Sequence, residues 1–253
     1  MNNFPPIVHA GNYTHVHPKP EPKPVCFIDK EVFKQSLKAY PTNNFVQYLS
    51  TLFGDELTNM LISRYFIGSS KHWPGATIFW QIDMQRRIRT GKIMLYNPNS
   101  GKRIKEPVNH IAWAHQVLKQ PDFELGQCLF GEHLLRDNTK PVALAESEKT
   151  ALIASIYFPR YNWLAVGSLN GLNAQKCSIL KGRTVTLFPD LNAFDKWTDK
   201  AKELSLITRF KVSHLLENKA SATERQQGLD LADYLVRFDS REFQHYLSAA
   251  ETE

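Results

Sequence analysis

The sequence predicts an α/β protein: a mostly parallel sheet flanked by helices, preceded by a smaller α+β subdomain made of helices and a β-hairpin. Three observations predict it. In the second half, short apolar runs ("PVALA", "WLAVG", "TVTLF") are separated by longer amphipathic stretches, the rhythm of buried parallel strands and crossover helices. In the first half, two runs rich in Ile, Phe, Trp, Met and Tyr flank the polar "DMQRR", the pattern of a hairpin with a four- or five-residue turn. Over all 253 residues, 42% hydrophobic and 22% charged is enough for a real core and too apolar for disorder.

The elements follow in order. Residues 1–24 hold six prolines, alternating with Lys or Glu near their end, which favours extended polyproline II; residues 1–28 are expected to form a flexible tail. His9, His15 and His17 in it read as incidental rather than as a metal site. Asp29 can cap "KEVFKQSLKAY", which Pro41 ends, and two further helices, "NNFVQYLSTLF" and "DELTNMLISRYF", meet at Gly54. The hairpin follows, then a turn at "NPNSGKR" and two short helices, "HIAWAHQVL" and "LFGEHLL". These make a subdomain over 29–135. From 136 to the end the order is strand "PVALA", helix "ESEKTALIASIYF", strand "WLAVG", helix "NAQKCSIL", strand "TVTLF" and helix "DKWTDKAKELSLI". A short strand or loop "FKVSHLL" and a last helix in "GLDLADYLVRF" close it.

A net charge of +6 admits an anionic partner or merely solvated lysines. Cys26, Cys128 and Cys177 are odd in number and far apart, and no signal peptide or long apolar run is present, which reads as a reduced, cytoplasmic protein with no membrane partner. No cysteine pair has zinc-ligand spacing, and Cys128 and Cys177 read as small buried hydrophobes. Neither a Walker-type phosphate loop nor Gly-x-Ser-x-Gly occurs, so ATPase and hydrolase readings lack support.

In an open parallel sheet, ligands meet the carboxyl ends of the strands. Two strands here run into acids at that edge: "PVALA" into Glu146, and "TVTLF" through Pro189 into Asp190. Carboxylates on a rigid edge suit Mg²⁺, with waters and phosphates completing its shell; helix capping and turn formation are the plain alternatives. Asp230 and Asp233 in "GLDLADYL" add acids one turn apart and favour the metal. Upstream, Arg86, Arg87, Arg89, Lys92, Lys102 and Arg103 fall within 18 residues with Trp80 and Tyr96 interleaved, the mixture that tracks a single strand. The alternative is a charged outer face over a core of Phe79, Trp80 and Tyr96. Lys71, His72 and Trp73 precede the hairpin and are placed beside the same groove; His110 and His133 read as structural.

"VALAESEKTALIAS", "VTLFPDLNAFDKWTDKAKEL" and "GLDLADYL" resemble the successive acidic motifs of the Toprim domain. The stretch from "YFIGSSKHWPGATIFW" to "CLFGEHLL" is similar in order to the region before that domain in bacterial-type primases. The resemblance spans about Phe45 to Phe238 and is nearest an uncharacterised primase-like group of mobile genetic elements, whose longer members carry a zinc-binding segment ahead of it. It implies a Toprim-like domain over 136–253, Mg²⁺ (or Mn²⁺) held by Glu146 and Asp190, and Asn192 at the place of a second Asp. Three features depart: Ser147 stands where a glycine is usual, Ala193-Phe194 stands where another is, and Asn192 keeps an oxygen ligand but loses a charge. Asp195, on a helix, cannot substitute.

The implied function is a primase-like protein that binds single-stranded DNA and performs metal-dependent nucleotidyl transfer in mobile-element replication. Its catalytic residues would be Glu146 and Asp190, its metal set Glu146, Asp190, Asn192, Asp230 and Asp233. Its partners would be DNA, nucleotides, and replication or mobilisation proteins. A non-catalytic DNA-binding accessory protein with a degenerate site, and a Toprim nuclease, are the alternatives.

Overall fold

The computed structural model describes residues 23–243, so the three tail histidines lie outside the described residues. Asp29 caps α1 (Lys30–Ser36) by accepting from the Glu31 N–H. After a short 3-10 turn, α2 (Asn44–Tyr65) begins on the Asn43 side chain, which accepts from both Phe45 and Val46. The two helices expected here run on as one element kinked at Gly54, whose φ of 76° and ψ of 171° break the helical path without ending it.

Strands β1 (Gly68–Ser70), β2 (Ala76–Ile82), β3 (Ile88–Met94) and β4 (Ile111–Trp113) form an antiparallel sheet in that order. The hairpin stands where the sequence places it, with Thr77 opposite Met94 and Ile82 opposite Ile88. Asp83 makes its turn: one carboxylate oxygen accepts from the Gln85 and Arg87 N–H groups, the other from the Arg87 and Arg89 side chains.

The helix expected over 110–118 is instead β4 followed by the single-turn α3 (Ala114–Val117). Pairing of Ile111 with Met94 and Trp113 with Lys92 completes the sheet, and for β-branched and aromatic residues this outweighs a weak helical period. "LFGEHLL" likewise holds a 3-10 helix, Glu132–Arg136, rather than an α-helix.

The second half alternates as expected. Strands β5 (Val142–Ala145), β6 (Asn162–Ala165), β7 (Val185–Phe188) and β8 (Phe210–Val212) are all parallel, in the order β6-β5-β7-β8. Between and after them run α4 (Glu148–Tyr157), α5 (Ala174–Cys177), α6 (Phe194–Glu203), α7 (Leu215–Lys219), α8 (Ala222–Gln227) and α9 (Leu231–Leu235). Helix α8 was not anticipated, although its signal is in the sequence: Ser221 and Glu224 form a capping box.

One apolar cluster spans both halves. It joins Phe45, Tyr65, Phe79 and Phe130 to Leu152, Trp163, Phe188 and Leu231. Tyr65 stacks on Phe130 at 5.4 Å and donates its hydroxyl to the Trp163 carbonyl, while Phe130 and Ala165 form a β-bridge. A second cluster fills the other face of the parallel sheet, and a third lies between the outer face of the first sheet and α1 with α3.

Gly101 sits where the hairpin's exit turn meets α2. Its φ is +62°, and an added Cβ would lie 2.2 Å from the Tyr48 ring. Gly101→Ala is therefore expected to destabilise the chain by about 2–4 kcal/mol, from overpacking plus the left-handed backbone. A thermal melt checks this, and an unchanged midpoint refutes it. Among the described residues no helix is long and apolar enough to cross a membrane.

Candidate active site

Strand order fixes where a ligand meets the parallel sheet. From β5 the chain crosses to β6 on one side, then returns past β5 to β7 on the other, so the following loops diverge between β5 and β7. Such a divergence leaves a crevice at the carboxyl edge. Ala145 pairs in register with Phe188, so Glu146 follows one strand and Asp190, two residues past Phe188, follows its neighbour. Both acids thus border one crevice.

Their environments differ. Burial pushes the Glu146 carboxyl up, against the pull of Lys92 and of a hydrogen bond from the Leu169 N–H. Asp190 is pushed much further, to about 8, first by burial and then by the charges of Asp230 and Glu146. Its Oδ1 is buried and has no hydrogen-bond partner.

Asp230 and Asp233 come to the same place but face a cation already. Asp230 caps α9, accepting from the Asp233 N–H, and Lys149 Nζ lies 3.2 Å from Asp230 and 2.9 Å from Asp233. Burial opposes the Lys149 charge, yet the two aspartates outweigh it and raise its pKa. Asn192, at φ 70°, is exposed and donates its amide to the Arg225 carbonyl at 2.7 Å. Ser147 caps α4 through the Thr150 N–H, and Asp195 is exposed on α6.

These residues fit a metal in a limited way. Among the described residues no three His, Cys, Asp or Glu side chains gather as a complete cage. Mg²⁺, however, is usually held by one or two carboxylates, with water and substrate phosphates supplying the rest. Glu146 and Asp190 are such a pair, and the orphaned Asp190 oxygen is the donor that lacks a partner.

The raised Asp190 pKa also bears on stability. A carboxyl titrating near 8 in the folded chain and near 3.9 unfolded stabilises fully below the lower value and loses that stabilisation as pH rises through the higher. In chelator, Asp190→Asn is expected to melt like the parent near pH ~4 and above it near pH ~9. Each pKa unit is worth ~1.4 kcal/mol, or about 3–6 °C at this size. Parallel melting-temperature profiles across that range would contradict this.

Behind the carboxylates lies a buried ion pair that the sequence did not reveal. Glu148, in the first turn of α4, is 1% exposed, and Lys92 reaches it from β3 with Nζ 3.0 Å from Oε2. The same Nζ donates to the Gly167 carbonyl at 2.8 Å. Lys176 donates to the Val166 carbonyl, and burial lowers its pKa. A single turn of "ESEK" carries no sign of which acid faces inward.

The basic cluster divides. Arg86 is exposed at the hairpin tip and Lys102 on the exit turn, while Arg103 is half-buried with its Nε unpartnered. Arg87 and Arg89 bind Asp83 and lie over the Phe27 ring at 4.8 and 5.1 Å. Lys92 is corrected outright, since its side chain points into the core, where Glu148 needs a cation. Trp80 and Tyr96 are 1% and 3% exposed, so they are core and not a stacking platform. Trp80 donates to Ser36, and Tyr96 packs on Phe45. His72 is exposed and Trp73 half-buried, with the His110 ring against Trp73.

A family model described as "Domain of unknown function (DUF6371)" matches residues 43–191. No curated protein sequence matches the chain. Among solved structures, the E. coli primase catalytic core is 13% identical, with 82% of this chain and 81% of that one covered and a TM-score of 0.50. A DnaG catalytic core is 14% identical over 82% and 81% at a TM-score of 0.49. A DnaG primase catalytic domain bound to single-stranded DNA is 14% identical over 79% and 80% at 0.48. The likeness to the E. coli core establishes a shared fold: a mixed α/β chain whose four-stranded parallel sheet is flanked by helices.

Proposed function

The chain belongs to the DUF6371 family, whose description assigns no function, and on that footing we propose that it is a primase-like protein of the Toprim type acting on single-stranded DNA. The observation that carries this is the carboxylate pair Glu146 and Asp190 just past the ends of two adjacent parallel strands, at the point where their loops diverge. The primase-core fold supports it. In this reading residues 29–135 are the primase-like subdomain and 136–253 the Toprim-like domain of a cytoplasmic protein of mobile-element replication, working with nucleotides and with replication or mobilisation proteins.

Glu146 and Asp190 are the residues that would hold Mg²⁺ or Mn²⁺. A divalent cation there would supply charge neutralisation and alignment for nucleotidyl transfer. Lys149 keeps Asp230 and Asp233 oriented and partly neutralised, so they shape the field around Asp190 more than they add ligands. Arg86, Arg87, Arg89, Lys102 and Arg103 would contact the phosphates of the strand; Lys92 would not.

A primer-synthesis assay on a single-stranded template with Mg²⁺ or Mn²⁺, beside calorimetry with Mn²⁺, tests this. Product that needs the metal, with Mn²⁺ binding reduced in Asp190→Asn, supports it. DNA cleavage in the absence of nucleotides points to a nuclease instead. A second reading, a non-catalytic DNA-binding accessory protein, is favoured by Asn192, which offers an oxygen but lacks the negative charge of a carboxylate. Salt-sensitive strand binding with no Mn²⁺ heat would select it.

A further inference from the structure

Away from the acid pair, a cavity of about 340 Å³ opens between α1, the end of α2, the β2–β3 turn and the 3-10 helix at Glu132–Arg136. Phe33, Phe66, Arg86, His133 and Arg136 line it, over Ile82. Three uncommon features meet there. Phe66 and Arg86 are both non-glycine residues in the left-handed region, at φ 53° and 62°. Phe66 takes it as the left-handed cap that ends α2, and Arg86 as the close of the hairpin turn, donating its N–H to the Asp83 carbonyl.

The second feature is unspent charge. Arg86 and Arg136 are exposed, and among the described residues no carboxylate stands within ion-pair distance of either. Asp83, the acid of the same turn, is taken by Arg87 and Arg89. The third is His133, 9% exposed. Its Nε2 meets the Arg64 carbonyl at 2.9 Å and must be the donor, which leaves Nδ1 a buried acceptor with no partner. Phe66 packs on this ring at 5.2 Å and on Phe33 at 5.8 Å, so the wall is aromatic.

We propose that this cavity is a nucleotide-binding site, with the base against the Phe33, Phe66 and His133 wall and the phosphate between Arg86 and Arg136. Guanidinium groups match phosphate oxygens two at a time, and exposed aromatic faces accept a flat ring. The volume is near the lower end of ligand cavities, about 300–1,000 Å³, so it holds one base and its phosphate rather than several. The choice of a nucleotide rests on the single-strand reading above; the cavity and its free arginines do not. A free nucleotide and one unstacked unit of a strand present the same groups.

The test is titration of the full chain with dAMP in chelator, which silences any metal-dependent binding at Glu146 and Asp190. Saturable binding is expected, weakened at least tenfold in Arg86→Ala/Arg136→Ala and unchanged in Glu146→Gln. Arg86→Gly is expected to bind as weakly while its melting temperature stays level or rises, because glycine relieves the left-handed backbone. No saturable binding, parent-like binding by the double variant, or equal affinity for inorganic phosphate overturns the proposal. Displacement of dAMP by a short oligothymidylate makes the strand the source; failure to displace it makes the free nucleotide the source. A parent chain that makes no primer yet binds dAMP strikes the acid-pair reading alone, and one that makes primer without binding dAMP strikes this one alone.

Discussion

Lys92→Met is expected to cost the chain about 3–5 kcal/mol, more than any other single change considered, because it leaves the Glu148 carboxylate buried without a cation. Among the described residues Lys92 is the one cation in ion-pair contact with Glu148, which is 1% exposed: its Nζ is 3.0 and 3.4 Å from the two oxygens, while Lys176, whose charge Glu148 also feels, is bonded to the Val166 carbonyl. Removing both charges in Lys92→Met/Glu148→Leu is expected to restore most of the loss, since an apolar pair of similar volume avoids desolvating two ions. Urea unfolding measures all three chains, and a Lys92→Met midpoint equal to the parent's would show that Glu148 is not held by this pair. Lys92 also pulls the Glu146 pKa downward, so its loss should favour the protonated form of Glu146.

Glu146→Gln and Asp190→Asn should each lower primer synthesis at least about 100-fold, the scale on which losing one preorganised charge contact at a reacting centre is felt. Both replacements keep shape and remove one negative charge. Strand affinity should hold or rise slightly, because the acids repel the same phosphates that the arginines attract. Equal product from parent and variants removes these residues from catalysis, whereas equal loss of strand binding would trace the defect to folding. Asp190→Asn carries its own control: the variant that loses activity is expected to gain stability at alkaline pH, since burial and the neighbouring charges of Asp230 and Glu146 raise the Asp190 pKa to about 8.

How far the sequence could be read follows from which forces are local. The βαβ half was legible because "VALA" and "VTLF" are short, wholly apolar runs ending at acids, and the observed strands Val142–Ala145 and Val185–Phe188 coincide with them. The hairpin was legible because Asp83 and its following arginines make a polar turn between apolar runs. The helix expected at "HIAWAHQVL" failed, since Ile111–Trp113 takes its conformation from β3, a partner distant in sequence. The site divides the same way. That Glu146 and Asp190 share an edge follows from strand polarity, but the Lys149 bridge to Asp230 and Asp233, and the inward turn of Lys92, depend on side-chain reach across elements far apart in the chain. Trp80 and Tyr96 could not be separated from a stacking platform by pattern alone, because an aromatic on a strand looks the same whether its face is covered or bare.

The bridge between Phe130 and Ala165 has a consequence for solubility. Strand β6 is the outermost strand of its sheet, and Asn162–Ala165 is a wholly buried, uncharged run of the kind that pairs with other chains when its edge is bare. The segment before β5 lies against that edge, with Phe130 and Ala165 exchanging backbone hydrogen bonds at 3.0 and 3.1 Å. A fragment starting at residue 136 would lose this guard and should self-associate, so the first half serves the second as a built-in shield against aggregation.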